Sequence, residues 1–523
     1  MKSKKWLYIA LIIIALGLII RIILTLFCEP WIAKKLEVTL NEKNLNYLVR
    51  INKVHISVIS SGIELDTISI TSGGNQNHGI NIKGTISSVK IKGFNIVKAI
   101  LNKKIAIRSI TIANSRIEGI LPEKKESVSV VVLPIDIKIE RIIFDKTNVS
   151  LSNNRNSLFY SLNEGVIKVY GIHFFKQDTL SIRKIKKFDF KATKFSYTGA
   201  DSMNSYASLG IDYSSKFNLL KADSVSIHPD FTDYDFTSRY EFQKDRIEAG
   251  INKVSLHNFN APEYLSSGML YCSYSEIGNL EMNVFRDKRK EFRHINKPTF
   301  QDMIYSYPGY LRLDSISILS GNITYKEHAE KAHDQGYIEF SKINAMILNI
   351  TNDTIYRTNK AFFELRCNAL LMGKGKITIL LKSKIFESQN TFSVKGTLSD
   401  MEISEMNPYL GNSAFVYATS GKIDKIDFSF TANNTESKGS MTMIYNGLDL
   451  AFKNKNTDDT TAFKERLISV IANIKVIDSN PLPGNELRIG AINCERDPER
   501  YLFNYCARSI LSGIKSSLLK NPK

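Results

Sequence analysis

The sequence predicts a mainly β protein in which one N-terminal transmembrane helix leads into a meandering antiparallel sheet, followed by a C-terminal amphipathic helix. Three observations predict it. An apolar run near the N-terminus has spanning length, short period-two apolar runs recur through most of the chain, and the final stretch changes to helical spacing.

The anchor comes first. Lys2, Lys4 and Lys5 precede Trp6 to Cys28, a stretch interrupted by no charge except Arg21. As a helix it would reach about 35 Å at 1.5 Å per residue, enough to cross a bilayer. A cleaved signal peptide would have a shorter apolar region ending in small residues, whereas this one ends in Thr25-Leu26-Phe27-Cys28. Phe27 before Cys28 also argues against a lipoprotein cleavage site. Trp6, Arg21 and Cys28 therefore read as anchor residues, with Arg21 snorkelling towards the interface. The lysines before the span lean the N-terminus towards the cytoplasm, against Lys34 and Lys35 after it, and place the body on the far side.

After the anchor, Trp31, Ile32, Leu36, Leu40 and Leu45 have the spacing of a short amphipathic helix. The period then falls to two. Val54, Ile56 and Val58 alternate with His55 and Ser57, and similar runs follow at Ile105 and Ile107, at Ile110 and Ile112, and at Ile135, Ile137 and Ile139. Ile426, Phe428 and Phe430 repeat the pattern late in the chain. Gly, Asn, Asp and Ser bound most of these runs, so each reads as a strand with one apolar and one polar face. The apolar face could pack as an ordinary sandwich core or stay open as a binding surface, and period two does not separate the two.

The organisation expected is a cytoplasmic tip and anchor over 1–28, a strand-rich body over 29–290, a connector over 291–308, and a second β region with the terminal helix over 309–523. The run Arg286-Asp287-Lys288-Arg289-Lys290-Glu291 reads as a solvated approach to that connector. From Tyr501 to Leu519 a wheel at about 100° per residue gathers Leu502, Cys506, Ile510, Ile514 and Leu518, with Phe503, Ala507 and Leu511, on one half, opposite Arg508 and Lys515. That face would either cover the last open strands or touch an anionic membrane surface, since 500–523 carries basic side chains and no acidic one.

Chemistry is sparse. The net charge of +18 comes without a dense basic block interleaved with aromatics, so nucleic acid is not the expected partner. His328-Ala329-Glu330-Lys331-Ala332-His333 fails the two-histidine helical zinc pattern, and both histidines read as exposed. No nucleophile elbow, phosphate loop or dinucleotide fingerprint stands in a supporting context. The five cysteines lie too far apart for a zinc or redox spacing. The expectation is a protein that is not an enzyme and carries no metal or cofactor.

The back half resembles a known family. Gly396 and Met401 before Asn407-Pro408, then Ser420-Gly421-Lys422-Ile423, then Gly439-Ser440-Met441 and Tyr445, follow the order seen in the C-terminal region of AsmA-like envelope proteins. Ala472-Asn473, Asn480-Pro481 and Arg496-Asp497, leading into the terminal helix, continue it. Gly321-Asn322-Ile323-Thr324-Tyr325, and Gly62-Ile63-Glu64-Leu65 near the front, are similar to other parts of the same family. The resemblance implies an AsmA-like protein of the cell envelope of a didermal bacterium, single-pass in the inner membrane with its bulk in the periplasm. It implies a role in outer-membrane biogenesis and no catalytic residues. Its larger relatives imply an elongated, curved antiparallel sheet forming a groove along which phospholipid or another envelope lipid travels. Val54, Ile56, Val58, Ile135, Ile137, Ile139, Phe428 and Phe430 would then face lipid. The alternative is a scaffold that assists outer-membrane protein assembly, through an envelope partner, without transporting lipid.

Overall fold

The computed structural model describes residues 18, 21–43, 47–57, 61–72, 81–94, 104–121, 136–153, 159–175, 185–199, 201–357, 362–452, 476–481, 484 and 487–519. The described chain is mainly β and divides into two compact units, Met1–Asn218 with Ala261–Ser266 and Leu219–Asn260 with Ser267–Lys523. Among the described residues no helix is long and apolar enough to cross a membrane. Trp6 and most of the expected span lie outside the described residues, as do Val58 and Ile135.

In the first unit a π-helical turn, Leu24–Cys28, runs into α1, Glu29–Lys43. The strands are β1 (Tyr47–Ser57), β2 (Gly62–Ser72), β3 (Asn81–Lys92), β4 (Lys104–Leu121), β5 (Asp136–Asn153), β6 (Phe159–Phe174), β7 (Lys187–Thr198) and β8 (Asn204–Ser214). Each pairs antiparallel with the next, except that β4 and β5 run parallel. A parallel pair needs a crossover rather than a hairpin.

The pairing is interrupted at one level on strand after strand. Asn52 and Thr67 are skipped between β1 and β2, Ser87 and Asn114 between β3 and β4, and Thr193 and Gly210 between β7 and β8. Thr67, Asn114, Lys146 and Glu164 take positive φ of 49° to 50° there. At the three pairs named one residue drops out on both strands and the register is unchanged on either side, whereas β5 and β6 shift register there, as a bulge does.

The second unit orders its strands β9 (Leu219–Pro229), β10 (Arg246–His257), β12 (Tyr274–Asp287), then β13 (Leu311–Ile318) and β14 (Gly321–His328) end to end, and β15 (Gly336–Thr351). The short β11 (Leu270–Cys272) also pairs with β13. From β15 the order is sequential through β16 (Phe363–Leu371), β17 (Gly375–Ser383), β18 (Phe392–Glu402), β19 (Val416–Ala432), β20 (Glu436–Phe452) and β21 (Ile489–Glu495). All of these pairs are antiparallel except those of β13 with β11 and of β12 with β13 and β14. Its helices include α2 (Asp233–Ser238), α3 (Phe300–Tyr305) and α4 (Leu502–Leu518), besides short helical turns over Ile403–Ala414. Thr299 and Asp302 cap α3 reciprocally, so the 291–308 segment carries a defined helix.

The largest core lies under α4. Phe392, Val394, Phe428, Phe430, Met441, Met443 and Ile492 pack with Tyr505, while Leu502, Cys506, Ile510, Ile514 and Leu518 close over them. The most buried stripe of α4 is Tyr505, Ser509, Gly513 and Ser517, whose small members bring the helix close to the sheet. A Cβ on Gly513 would sit 2.8 Å from Ile492 Cγ1. The helix also satisfies the last strand: Ala491 N–H donates to Ser516 Oγ at 2.9 Å, and Asn493 N–H to Ser512 Oγ at 3.1 Å. Donors that would leave an open sheet edge are thereby paired.

Candidate functional site

The candidate lipid-facing residues fall in three separate clusters. Val54 and Ile56 pack with Ile51, Ile68 and the α1 residues Ile32, Ala33 and Leu36, so a helix covers them. Ile137 and Ile139 belong to a second cluster, with Ile107, Ile110, Ile142, Ile167, Val169, Ile172 and Phe188. Among the described residues its members come from β4–β7 and from Ile185 beside β7, none of them helical. Phe428 and Phe430 stack at 6.4 Å inside the core under α4, and Phe430 is only 2 % exposed.

The second cluster is built in registered rows. Ile107 lies beside Ile139 and Ile139 beside Ile172; past the unpaired Arg108, Glu140 and Gly171, Ile110, Ile142, Val169 and Phe188 are neighbours in turn. The step from Ile107 to Ile110 is three residues instead of two, and β5 repeats it from Ile139 to Ile142. Arg108 and Glu140 drop out of the pairing together there, and the isoleucines on either side still share one cluster. Towards the strand ends the face becomes aromatic: Tyr160 stacks on Tyr197 at 4.8 Å and Tyr197 on Tyr206 at 5.5 Å. Most of these side chains are only half-buried.

The anchor residues acquire partners. Arg21 donates to the Ile56 carbonyl at 3.2 Å and lies 3.5 Å from the Glu29 carboxylate, which is buried and accepts the Ile56 N–H at 3.0 Å. His55 bridges Glu29 and Asp66 at 3.4 and 3.1 Å. These contacts tie the start of α1 to β1 and β2. Cys28 is a half-buried free thiol.

A polar network in the second unit has little signature in the sequence. Glu327, 2 % exposed, accepts from Lys288 Nζ at 2.6 Å and from the Tyr325 hydroxyl at 2.9 Å, and Tyr409 hydrogen-bonds to it as well. Arg286 grips Asp245 through two hydrogen bonds of 2.6 Å, and Arg289 grips Asp287 through two of 2.8 Å. The charge run is therefore not a solvated approach: Arg286, Lys288 and Arg289 are spent on carboxylates held by the fold, and Lys290 donates to the Tyr240 carbonyl at 2.7 Å. His328 is also not exposed. It is 6 % accessible, its Nδ1 lies 2.8 Å from the Tyr234 hydroxyl, and its Nε2 meets the Ala332 carbonyl, whereas His333 stays in solvent.

Burial first and Glu327 second push the Tyr409 phenol up to about 12, and the same causes raise Tyr325. The Arg289 hydrogen bond holds the Asp287 carboxyl below the usual carboxylate range. With every charge partnered, the network acts as a polar cross-link joining β12, β14, α2 and the helical turn around Tyr409. Among the described residues no group of three or more His, Cys, Asp and Glu side chains is arranged to hold a metal ion. Glu327→Ala leaves Lys288 and two phenols without their acceptor. The expected loss of stability is about 3 kcal/mol, the low end for a broken buried pair because Lys288 still reaches water. Urea unfolding checks it; a change within about 0.5 kcal/mol would mean that the network is dispensable.

No protein-family model matches the sequence, and no curated protein matches it at a significant level.

Proposed function

We propose that this chain is an AsmA-like envelope protein that handles lipid along an apolar sheet face. It is held in the inner membrane by residues 6–28, with its body in the periplasm, and serves outer-membrane biogenesis. The elongated, curved, groove-like form implied by the resemblance is part of the proposal. The supporting observation is the continuous Ile107–Ile139–Ile172 face of the first unit, whose cluster among the described residues is made of strand side chains, most of them only half-buried. An apolar face needs a cover, and acyl chains supply one without specific contacts. Movement of lipid along such a face needs no bond to be made or broken, in keeping with a protein that is not an enzyme. The filled core under α4 favours the scaffold reading for the second unit, where side chains already occupy the inside.

Photo-crosslinkers at Ile137, Ile139 and Ile167 test the lipid reading against Lys138 and Lys168 on the opposite face. The apolar set is expected to capture lipid and the lysine set to capture none. Equal capture from both sets, or none from either, removes the case for a lipid-handling face.

A further inference from the structure

The other face of β16–β20, turned away from the core under α4, has a different character. Leu365, Ile377, Ile379, Val394 and Phe428 point inwards, so the residues between them form a second surface. On it, register sets Arg366 beside Leu380 and Leu380 beside Lys395, while Lys382 follows Leu380 by two positions on the same strand. Neighbouring strands lie about 4.8 Å apart, so Arg366 and Lys395 start about 10 Å from each other with the leucine between them. Three long cationic side chains thus ring one apolar residue.

Beyond them the floor is short and hydroxylated. Thr378 and Thr397 share a hydrogen bond of 2.7 Å, and Ser429 and Ser440 continue the surface in register. Short side chains between long ones leave a groove of ≈ 640 Å³. Its charges are unevenly matched. Glu364, nearly buried, holds both Arg366 and Lys382, the latter at 3.0 Å. Burial alone would raise its carboxyl, but the hydrogen bonds from Lys382 and Arg366 hold it below the ordinary range. Asp427 is engaged by Lys425 at 2.8 Å. Among the described residues Lys395 has no carboxylate partner, and Arg366 gives Glu364 only its Nε, so its terminal nitrogens are left to face a ligand. A solvated sheet face pairs its charges across strands; here the pairing leaves a surplus of positive charge over Leu380, in a chain of net charge +18.

We infer that this groove is a binding site for a phosphate ester, with the phosphoryl group held over Leu380 by Arg366, Lys382 and Lys395 and the group it esterifies lying on the threonine and serine floor. Arginine's fork and hydroxyl donors suit phosphoryl oxygens. Glu364 is a positioning residue that fixes two of the three cations. The site stands apart from the lipid reading, because its residues belong to a polar surface of the second unit. The ester could be a soluble molecule or the head group of a lipid.

The full chain in detergent, titrated calorimetrically with glycerol phosphate and separately with mixed micelles containing phosphatidic acid, tests the site. Binding of at least one probe, falling as salt is raised, is expected. Binding of glycerol phosphate identifies a soluble ester as sufficient, and binding of the micelles alone identifies a head group. Lys395→Gln, which breaks no ion pair, is expected to weaken binding at least about threefold, and R366Q/K382Q/K395Q about tenfold or more. K376Q/K422Q, elsewhere on the same sheet, should leave it unchanged. No binding of either probe by the unaltered chain, or equal weakening in K395Q and K376Q/K422Q, overturns the inference.

Discussion

Removal of residues 502–523 is expected to unfold the second unit rather than trim it. The deletion takes Tyr505 out of the core and uncovers Met441 and Ile492, which are almost wholly buried. It also strips cover from residues that Leu502, Cys506, Ile510, Ile514 and Leu518 pack against. At about 1.5–3 kcal/mol for each fully buried large side chain and less for the half-buried ones, the loss is comparable to the whole stability of a domain, about 5–15 kcal/mol. The Ala491 and Asn493 N–H groups lose their serine partners at the same time. Circular dichroism and size-exclusion chromatography should show an aggregated or unfolded second unit. A soluble truncated protein with a native unfolding transition would rule out the end-cap role.

Two point variants separate capping from a membrane contact. Gly513→Leu drives a side chain into Ile492 and Met441 and should cost about 1–3 kcal/mol by overpacking. Phe503 and Leu511 lie on the other side of α4, 65 % and 50 % exposed, so changing both to Ser should move stability by no more than about 0.5 kcal/mol each. If Phe503→Ser/Leu511→Ser folds normally but binds anionic vesicles less well, α4 has a membrane contact in addition to its cap. Unchanged vesicle binding leaves the cap alone.

The same helix illustrates what a sequence reveals and what it conceals. Its existence and its apolar half follow from spacing, because Leu502, Cys506, Ile510, Ile514 and Leu518 recur at helical intervals. Its most buried line does not. Ser509, Gly513 and Ser517 look like surface residues, and only contact with β20 and β21 makes smallness the requirement at those positions. The strands behave similarly. Period two identifies Ile105 with Ile107, and Ile110 with Ile112, as separate runs, but the break in pairing between them falls on Arg108 opposite Glu140, which carry no turn signature. Lys146 and Glu164 take positive φ with side chains that do not ordinarily favour it, so the interrupted level across the first sheet is a tertiary property. The parallel pairing of β4 with β5 is hidden for the same reason, since strand direction depends on a crossover rather than on either strand's composition. The charge run 286–291 gave the reverse error. Adjacent opposite charges suggest solvent exposure, yet their partners Asp245 and Glu327 come from distant strands and loops.

A matched pair of aspartates provides the sharpest separation between an open face and a packed core. Phe430→Asp places a carboxylate at a position 2 % exposed, beside Phe428 and beneath α4. It loses a core aromatic, worth about 3–5 kcal/mol, and adds the cost of burying an unpaired charge. The second unit should not fold. Ile137→Asp sits in a cluster of strand residues where the position is half-buried, and the new carboxylate can turn towards water. Its expected cost is about 1–2 kcal/mol, within reach of an ordinary domain's stability. Hydrogen exchange read by mass spectrometry reports each unit separately, and lipid extraction from the same preparation reports what is bound. The lipid-handling reading requires that Ile137→Asp retain native protection in β4–β7 while its bound lipid falls several-fold. Loss of protection there as complete as Phe430→Asp causes in β18–β20 would identify the Ile107–Ile139–Ile172 face as a packed core. Native protection with unchanged lipid would mean that lipid, if present, lies somewhere other than this face.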